Sequence, residues 1–127
     1  MSKKETVIVT GASRGIGAAI VRELLSRGYQ VVATSRNATK AGFVTSPDLT
    51  IVDGDIGLAT TAENVTHAAM TIFGSIDHVI NNAGIFLAKP FTEYTIDEFR
   101  GFVSTNLEGF IFTTQLAVKQ MLAQGIR

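Results

Sequence analysis

Apolar and polar positions follow one another along this chain in a pattern that predicts short strands alternating with helices. Residues 6–9 form a β-branched, continuously apolar run that ends at a glycine turn, the pattern of a strand buried on both faces. Ile16, Ile20 and Leu24 then recur at helical spacing. Gly28 follows, where the end of a helix favours a left-handed residue. The chain therefore opens with a strand, a glycine turn and an amphipathic helix.

Three further strands are predicted from segments rich in β-branched and apolar residues. They cover residues 29–33, 49–52 and 76–80. Residues 37–48 are too few and too rich in turn formers for a full crossover helix. A single helical turn at 39–43 is all that we expect between the second and third strands.

Two Thr-x-x-Glu patterns predict where the later helices begin. Residues 60–63 and 95–98 have the capping-box sequence, in which the threonine and glutamate side chains satisfy free backbone N–H groups. The first helix is expected to run to Phe73 and end at Gly74, and the second to run to about Gln124. The resulting order of elements is typical of a parallel sheet covered by helices on both faces.

Composition narrows the range of possible partners. The 127 residues fit one domain, and 46% hydrophobic residues are enough to build a core. Eleven basic residues balance eleven acidic ones without any long run of like charge, so nucleic acid and membrane surfaces are not expected partners. The chain has no cysteine, which suits a cytoplasmic location, and no metal site is predicted. The apolar run at 7–9 is too short for a signal peptide or a membrane span.

The glycine-rich segment after the first strand is a candidate phosphate-binding loop. It lies between a buried strand and a helix, where free N–H groups and the helix dipole favour an anion. Gly11 is expected to allow the sharp exit from the strand, Gly15 to leave room for a pyrophosphate, and Gly17 to let the helix pack closely. The alternative is a tight turn with no ligand. The loop residues assigned to cofactor binding are Gly11, Ser13, Arg14, Gly15, Ile16 and Gly17.

Four ordered motifs resemble those of the short-chain dehydrogenase/reductase family of the classical type. The first is Thr-Gly-x-x-x-Gly-x-Gly at residues 10–17, and the second is Asn-Asn-Ala-Gly at 81–84, after the fourth predicted strand. Asp55 and Ile56 follow the third strand, where the family has an aspartate beside the adenine ring. Asn106, within Ser-Thr-Asn-Leu, matches the family's catalytic asparagine. Together the motifs span essentially the whole chain.

The resemblance implies an α/β fold with a Rossmann-type, doubly wound parallel sheet. Residues 1–127 would form its N-terminal, cofactor-binding part, with strand order 3-2-1-4. Asn106 is expected on the buried stripe of its helix, where a polar side chain needs a partner, and in relatives it bends the helix and holds a water. Outside the glycine loop, the cofactor contacts implied by the family motifs are Asp55, Ile56, Asn82, Ala83 and Gly84.

Several of these polar residues also have simpler interpretations. Asn81 and Asn82 can end a strand and satisfy backbone groups of neighbouring strands. Asp53 can end the third strand and cap a turn. His67 and His78 match no family motif and are interpreted as surface or sheet residues.

The end of the second predicted strand indicates which nucleotide binds. In a dinucleotide fold, an acidic residue at that place accepts hydrogen bonds from the ribose hydroxyls of NAD. Residues 33–37 contain no carboxylate. Ser35 can donate a hydrogen bond there, and Arg36 and Arg14 can bind a 2′-phosphate. NADP is therefore favoured over NAD, unless both arginines are merely solvated surface residues.

Most catalytic groups that the resemblance implies are absent from the sequence. Family members move hydride between a nicotinamide and a carbonyl or secondary alcohol, using a serine and a Tyr-x-x-x-Lys pair. Tyr29 is followed four residues later by Ala33, and Tyr94 by Glu98. Only Asn106 of the catalytic tetrad is therefore present. The chain alone is predicted to be inactive.

Two main hypotheses for the function remain. In the first, this chain is the cofactor-binding part of an NADP-dependent oxidoreductase acting on a small molecule, with its catalytic part beyond Arg127. The alternative is a non-catalytic NADP-binding or dimerisation module, and a weaker third hypothesis is a fragment that binds nothing. The fourth strand would be an exposed edge, and phenylalanines at positions 99, 102, 110 and 112 spread over two helix faces. Either this edge is covered by the rest of a longer chain, or it is hidden by dimerisation. A homodimer or homotetramer is expected.

Overall fold

Four parallel strands form the sheet of the computed structural model, which describes residues 3–125. The strands are β1 (Thr6–Thr10), β2 (Gln30–Ser35), β3 (Leu49–Asp53) and β4 (His78–Ile80). Their order is β3-β2-β1-β4, which confirms the expected 3-2-1-4 arrangement. All five residues of the central strand β1 are buried, as its continuous apolar run predicts.

Helices follow the strands on both faces of the sheet. They are α1 (Gly15–Ser26), α2 (Ala59–Ala68), α3 (Ile96–Phe102) and α4 (Gly109–Ala123). A π-helical segment, Ala69–Phe73, continues α2, and a second, Val103–Glu108, joins α3 to α4. Short 3₁₀ turns occupy Ala38–Lys40 and Phe91–Glu93.

The two faces of the sheet build separate hydrophobic clusters. Val7 and Val9 point to one face and pack with Val21 of α1. Ile8 points to the other face and packs with Val65 of α2 and with residues of α4. Because successive residues of a strand face opposite ways, β1 supplies both clusters and fixes α1 on one side and α2 with α4 on the other.

The predicted capping box at residues 60–63 is wrong. α2 begins at Ala59, is preceded by Leu58, and has no side-chain cap. Thr61 is buried, and a Cβ added to Gly54 would lie 2.7 Å from the Thr61 hydroxyl oxygen. Thr60, the threonine predicted to cap, therefore lies inside the helix, and its neighbour Thr61 packs against the loop after β3.

The second predicted capping box is confirmed. The Thr95 hydroxyl accepts from the Glu98 N–H at 3.1 Å, and the Glu98 carboxylate accepts from the Thr95 N–H at 2.8 Å. Glu98 also accepts from Lys89 Nζ at 2.8 Å, and this bond lowers the pKa of the Glu98 carboxyl. The helical path then reaches Ala123, as expected, although Val103–Glu108 interrupts its α-helical geometry.

Two strands start later than predicted, and β1, β2 and β3 each run one or two residues past their predicted ends. β2 starts one residue after Tyr29, whose N–H instead bonds to the Leu24 carbonyl at the end of α1. β4 starts only at residue 78, although residues 76–80 were expected. Gly28 and Gly74 have φ of +89° and +83°, so both predicted left-handed helix ends are confirmed.

Across residues 3–125, none of the helices is both long and apolar enough to cross a membrane. The same residues contain no group of three or more His, Asp or Glu side chains arranged to hold a metal ion. β4 pairs with β1 alone within this part of the chain, so it forms an edge of the described sheet.

A glutamine side chain takes the place of a strand partner for Ile76. Gln124 Oε1 accepts from the Ile76 N–H at 2.9 Å, and Gln124 Nε2 donates to the Ile76 carbonyl at 3.0 Å. Ile76 is fully buried, so its backbone groups need these bonds. The pair joins the end of α4 to the segment before β4.

Gln124→Ala is expected to lower the free energy of unfolding by about 1–3 kcal/mol, because it leaves a buried N–H and C=O without partners. Urea denaturation measures this change. Gln115→Ala is the matched control, since Gln115 is exposed on α4 and makes no side-chain hydrogen bond within residues 3–125. An equal decrease in the free energy of unfolding in both variants would contradict the role of Gln124 in satisfying the backbone of Ile76.

Candidate functional site

A cleft of about 800 Å³ lies at the carboxyl ends of the strands. This is the edge at which open parallel sheets bind ligands, and the volume is within the usual range for small-molecule sites. Of the residues assigned to cofactor binding, all except Gly17 line it. Those lining residues are Gly11, Ser13, Arg14, Gly15, Ile16, Ser35, Arg36, Asp55, Ile56, Asn82, Ala83 and Gly84.

Sequence reasoning missed several residues of the same cleft. They are Thr34, Asn37, Lys40, Ala41, Gly54, Ile85 and Thr105. Asn37, Lys40 and Ala41 belong to the short turn after β2, whose position depends on contacts with β3. Their nearness to Arg36 in the sequence was the only signal that could have found them.

The three glycines of the loop have different surroundings. Gly11 has φ of +63°, and a Cβ added there would lie 2.8 Å from the Ala83 Cα. A Cβ on Gly17 would lie 2.0 Å from the Gly11 carbonyl oxygen, so this glycine permits close packing and lies behind the cleft wall. Gly15 has φ of +58° and no atom within 4 Å of an added Cβ, so the loop leaves open space there.

The start of α1 carries no side-chain cap. Arg14 precedes the helix in an extended conformation, and it makes no capping hydrogen bond. The first N–H groups of a helix have no partner within the helix, and an anion can satisfy them. Because Gly15 and Ile16 line the cleft, this helix end opens into it.

Hydrogen bonds join the ends of β1 and β4. The Thr10 hydroxyl accepts from the N–H groups of Asn82 at 3.1 Å and of Ala83 at 3.0 Å. The Asn82 side-chain amide donates to the Gly11 carbonyl at 3.1 Å, which confirms its predicted backbone role. The same prediction is wrong for Asn81, whose amide donates to the hydroxyl of Thr114 on α4.

Asn106 lies in the π-helical segment and binds the chain that leaves β4. Its Oδ1 accepts from the Ile85 N–H at 2.8 Å, and its Nδ2 donates to the Ile85 carbonyl at 3.0 Å. The expectation that Asn106 is buried is wrong, because it is exposed within the described residues and its partner is an exposed loop. A second cavity of about 100 Å³, which shares Ile56, Ala83 and Thr105 with the cleft, lies beside it.

Positive charge dominates the charged lining of the cleft. Arg14, Arg36 and Lys40 line it, against a single lining carboxylate, Asp55. Arg36 Nη2 lies 3.6 Å from Asp55 Oδ2, so a carboxylate reaches Arg36 from the β3 side although residues 33–37 contain none. Asp55 also accepts from the Gly57 N–H at 2.9 Å, which anchors it.

Asp53 ends β3 and caps the turn that follows β2, as predicted. Its carboxylate accepts from the Thr39 N–H at 2.9 Å and from the Thr39 hydroxyl. These bonds to Thr39 lower the pKa of the Asp53 carboxyl. The turn Ala38–Lys40 is thereby held against the end of β3.

The strand order, the glycine turn and the cleft at the strand ends define a Rossmann-like α/β protein. The profile of the short chain dehydrogenase family matches residues 5–126, and the chain belongs to this family.

Similar sequences and similar solved structures cover nearly the whole chain. L-rhamnose 1-dehydrogenase (NAD(P)(+)) of Azotobacter vinelandii is 37% identical, over 95% of this chain and 51% of the relative. A short-chain glucose/ribitol dehydrogenase from Brucella melitensis has a TM-score of 0.84 at 30% identity, covering 93% of this chain and 52% of that one. An ElxO variant with NADPH bound has a TM-score of 0.87 at 27% identity, with 97% and 52% covered. The chain thus spans about half the length of the curated relatives it matches.

Thr10→Val is expected to destabilise the protein by about 1–3 kcal/mol, because the isosteric valine leaves the Asn82 and Ala83 N–H groups without their acceptor. Thr10 is only 1% exposed, so water cannot easily replace it. Thr10→Ser keeps the oxygen and serves as the control. Chemical denaturation of the three proteins measures the difference, and a serine variant as unstable as the valine variant would argue against the hydrogen bonds.

Asp53→Asn is expected to weaken the dependence of stability on acid pH. A carboxyl whose pKa is lowered in the folded state stabilises the protein fully above its ordinary pKa of about 3.9. That contribution disappears as the pH falls through the lowered value. Unfolding measured between pH 7 and pH 3 should therefore show a smaller loss in the variant than in the wild type, and parallel curves would refute this role of Asp53.

Proposed function

We propose that this chain is the NADP-binding part of an oxidoreductase of the short-chain dehydrogenase/reductase type. The reaction of the whole protein would be hydride transfer between the nicotinamide and a carbonyl or secondary alcohol of a small molecule. The observation that carries the proposal is the cleft itself, into which the glycine turn, the uncapped start of α1 and three cationic side chains all open.

The residues of the cleft fit a dinucleotide. The open space at Gly15 and the free N–H groups of α1 would hold the pyrophosphate. Asp55 and Ile56 would contact the adenine side, and the 82–84 segment would form the wall between the two cavities. When bound, the cofactor supplies the hydride donor or acceptor, which no side chain of this chain can replace.

NADP is the proposed cofactor, with NAD less favoured. Ser35 and Arg36 line the cleft at the end of β2, where a 2′-phosphate would lie, and Arg14 lines it from the glycine loop. The Arg36–Asp55 pair opposes this choice only weakly, because an exposed ion pair contributes at most about 1 kcal/mol. A phosphate bound by Arg36 gains charge-assisted bonds that can replace that contact.

Asn106 is the proposed catalytic residue of the chain, and its observed bonds give it a positioning role as well. Both polar atoms of its side chain bind the backbone of Ile85. Asn106 therefore fixes the loop that follows Gly84, beside the second cavity. The sequence has no Tyr-x-x-x-Lys pair to transfer a proton. The 127-residue chain is therefore proposed to bind the cofactor without turnover.

A homodimer or homotetramer in the cytoplasm completes the proposal. The exposed face of α4 carries large apolar side chains, among them Phe110, Ile111 and Leu122, the last of them 71% exposed. Such a face next to the edge strand β4 favours association with another copy. The absence of cysteine supports a reducing compartment.

Fluorescence titration of the protein with NADPH and NADH tests the cofactor choice. NADPH is expected to bind more tightly, and Arg36→Ala to weaken NADPH binding by about tenfold, or about 1.4 kcal/mol, with little effect on NADH. Arg100→Ala is the matched control, since Arg100 is exposed on α3 and does not line the cleft. Equal affinities for the two nucleotides would overturn the choice of NADP, and no binding of either would support a fragment that binds nothing.

Turnover and the coding sequence separate the oxidoreductase from the non-catalytic module. Both predict saturable NADPH binding without oxidation of NADPH by a panel of aldehydes and ketones. The oxidoreductase predicts that the gene continues past Arg127 into a serine and a Tyr-x-x-x-Lys motif. A stop codon directly after Arg127, together with an intact mass of 127 residues, would favour the non-catalytic module.

A further inference from the structure

Lys40 is a cation of the cleft that the nucleotide motif does not include. It ends the 3₁₀ turn Ala38–Lys40, five residues after Ser35 ends β2, and it lines the same cleft as Arg14 and Arg36. Ala38 is fully buried, so the turn is anchored to the protein and is not a free loop. Lys40 itself is exposed and forms no ion pair with any residue between 3 and 125.

The position of this turn is set by β3. Ser35 and Asp53 lie opposite each other where β2 and β3 pair, and the Gly54 N–H donates to the Ser35 carbonyl at 3.0 Å. That pairing fixes the Asp53 carboxylate, which accepts two hydrogen bonds from Thr39. Thr39 directly precedes Lys40, so the carboxylate determines where the lysine stem begins.

The charges of the neighbouring residues distinguish Lys40 from Arg36. Arg36 lies 3.6 Å from Asp55, and a phosphate that recruits it must compete with this carboxylate. Lys40 forms no ion pair within the described part of the chain. Its charge acts on the Asp53 carboxylate, but as the smallest of the effects that lower the pKa of that carboxyl, so a phosphate meets less competition at Lys40 than at Arg36. An ammonium on a flexible four-carbon stem can follow a phosphate that is not held in one orientation.

Building on the proposed binding of NADP, we infer that Lys40 is a further specificity-determining residue that binds the 2′-phosphate. Asp53 is then a positioning residue that acts through Thr39, because it holds the turn from which Lys40 reaches the ribose end of the cleft. Discrimination between NADP and NAD would thus depend on the pairing of β2 with β3 as well as on the arginines.

Titration of Lys40 variants tests the contact with the phosphate. Lys40→Ala is expected to weaken NADPH binding by about three- to tenfold. The reason is that a partly exposed bond from an ammonium to a phosphate is stronger than a fully exposed ion pair and weaker than a buried one. NADH binding should not change, and Lys40→Arg should restore NADPH binding. Lys119→Ala, which removes an exposed lysine from α4, is the control. Two smaller probes should behave in the same way: Lys40→Ala should weaken the binding of adenosine 2′,5′-bisphosphate, which carries the 2′-phosphate, and should leave the binding of AMP, which lacks it, unchanged.

A double-mutant cycle tests the role of Asp53. Asp53→Asn alone should weaken NADPH binding selectively, and in the Lys40→Ala background it should cause no further loss. Thr39→Val keeps the carboxylate and removes one of its two donors, so it gives an independent variant if Asp53→Asn folds poorly. Full additivity of the losses from Asp53→Asn and Lys40→Ala would overturn the positioning role.

The outcomes separate this inference from the proposed function. A wild type that prefers NADPH, combined with Lys40→Ala behaving like Lys119→Ala, would overturn the inference and leave the proposed function intact. Equal weakening of NADPH and NADH by Lys40→Ala would also overturn it, because Lys40 would then contact a part common to both nucleotides. A wild type that shows no preference would refute the choice of NADP before any variant is made, and the inference would fail with it.

Discussion

The close approach of the turn after β1 to the chain leaving β4 is the contact on which the cleft depends. A Cβ on Gly11 would lie 2.8 Å from the Ala83 Cα, and one on Gly17 would lie 2.0 Å from the Gly11 carbonyl oxygen. Only hydrogen fits at both places, so backbone packs directly against backbone. Thr10 and Asn82 add hydrogen bonds across the same junction, and together these contacts keep the floor of the cleft in place.

Features that depend on a few neighbouring residues were predictable from the sequence. The spacing of the glycine loop, the left-handed ends at Gly28 and Gly74, and the capping box at 95–98 need only local backbone chemistry. The strand order came from the family resemblance and was confirmed. Local periodicity shows which residues form a strand, but it does not show which strand becomes its neighbour.

Features decided by distant contacts were not predictable in this way. The 60–63 pattern looks like a cap, yet the helix begins at Ala59, so Thr60 lies inside it and the adjacent Thr61 packs on Gly54. Asn106 occupies an apparent core position but turns to the backbone of Ile85, twenty-one residues away in the sequence. Ile76 was expected to begin a strand, although a glutamine from the end of α4 takes the place of its strand partner. In each case a contact with a residue elsewhere in the fold, rather than the local sequence pattern, determines the observed structure.

The cations of the cleft come from three pieces of backbone with different restraints. Arg14 lies on the glycine loop, Arg36 follows β2, and Lys40 ends a turn held by Asp53. Because the three cations lie on different segments of backbone, they can line one cleft without their mutual repulsion destabilising a single helix or strand. Asp55 offsets part of that repulsion at Arg36 through an exposed ion pair that contributes at most about 1 kcal/mol. A contact this weak stabilises the arginine near the cleft while remaining easy for an anion to replace.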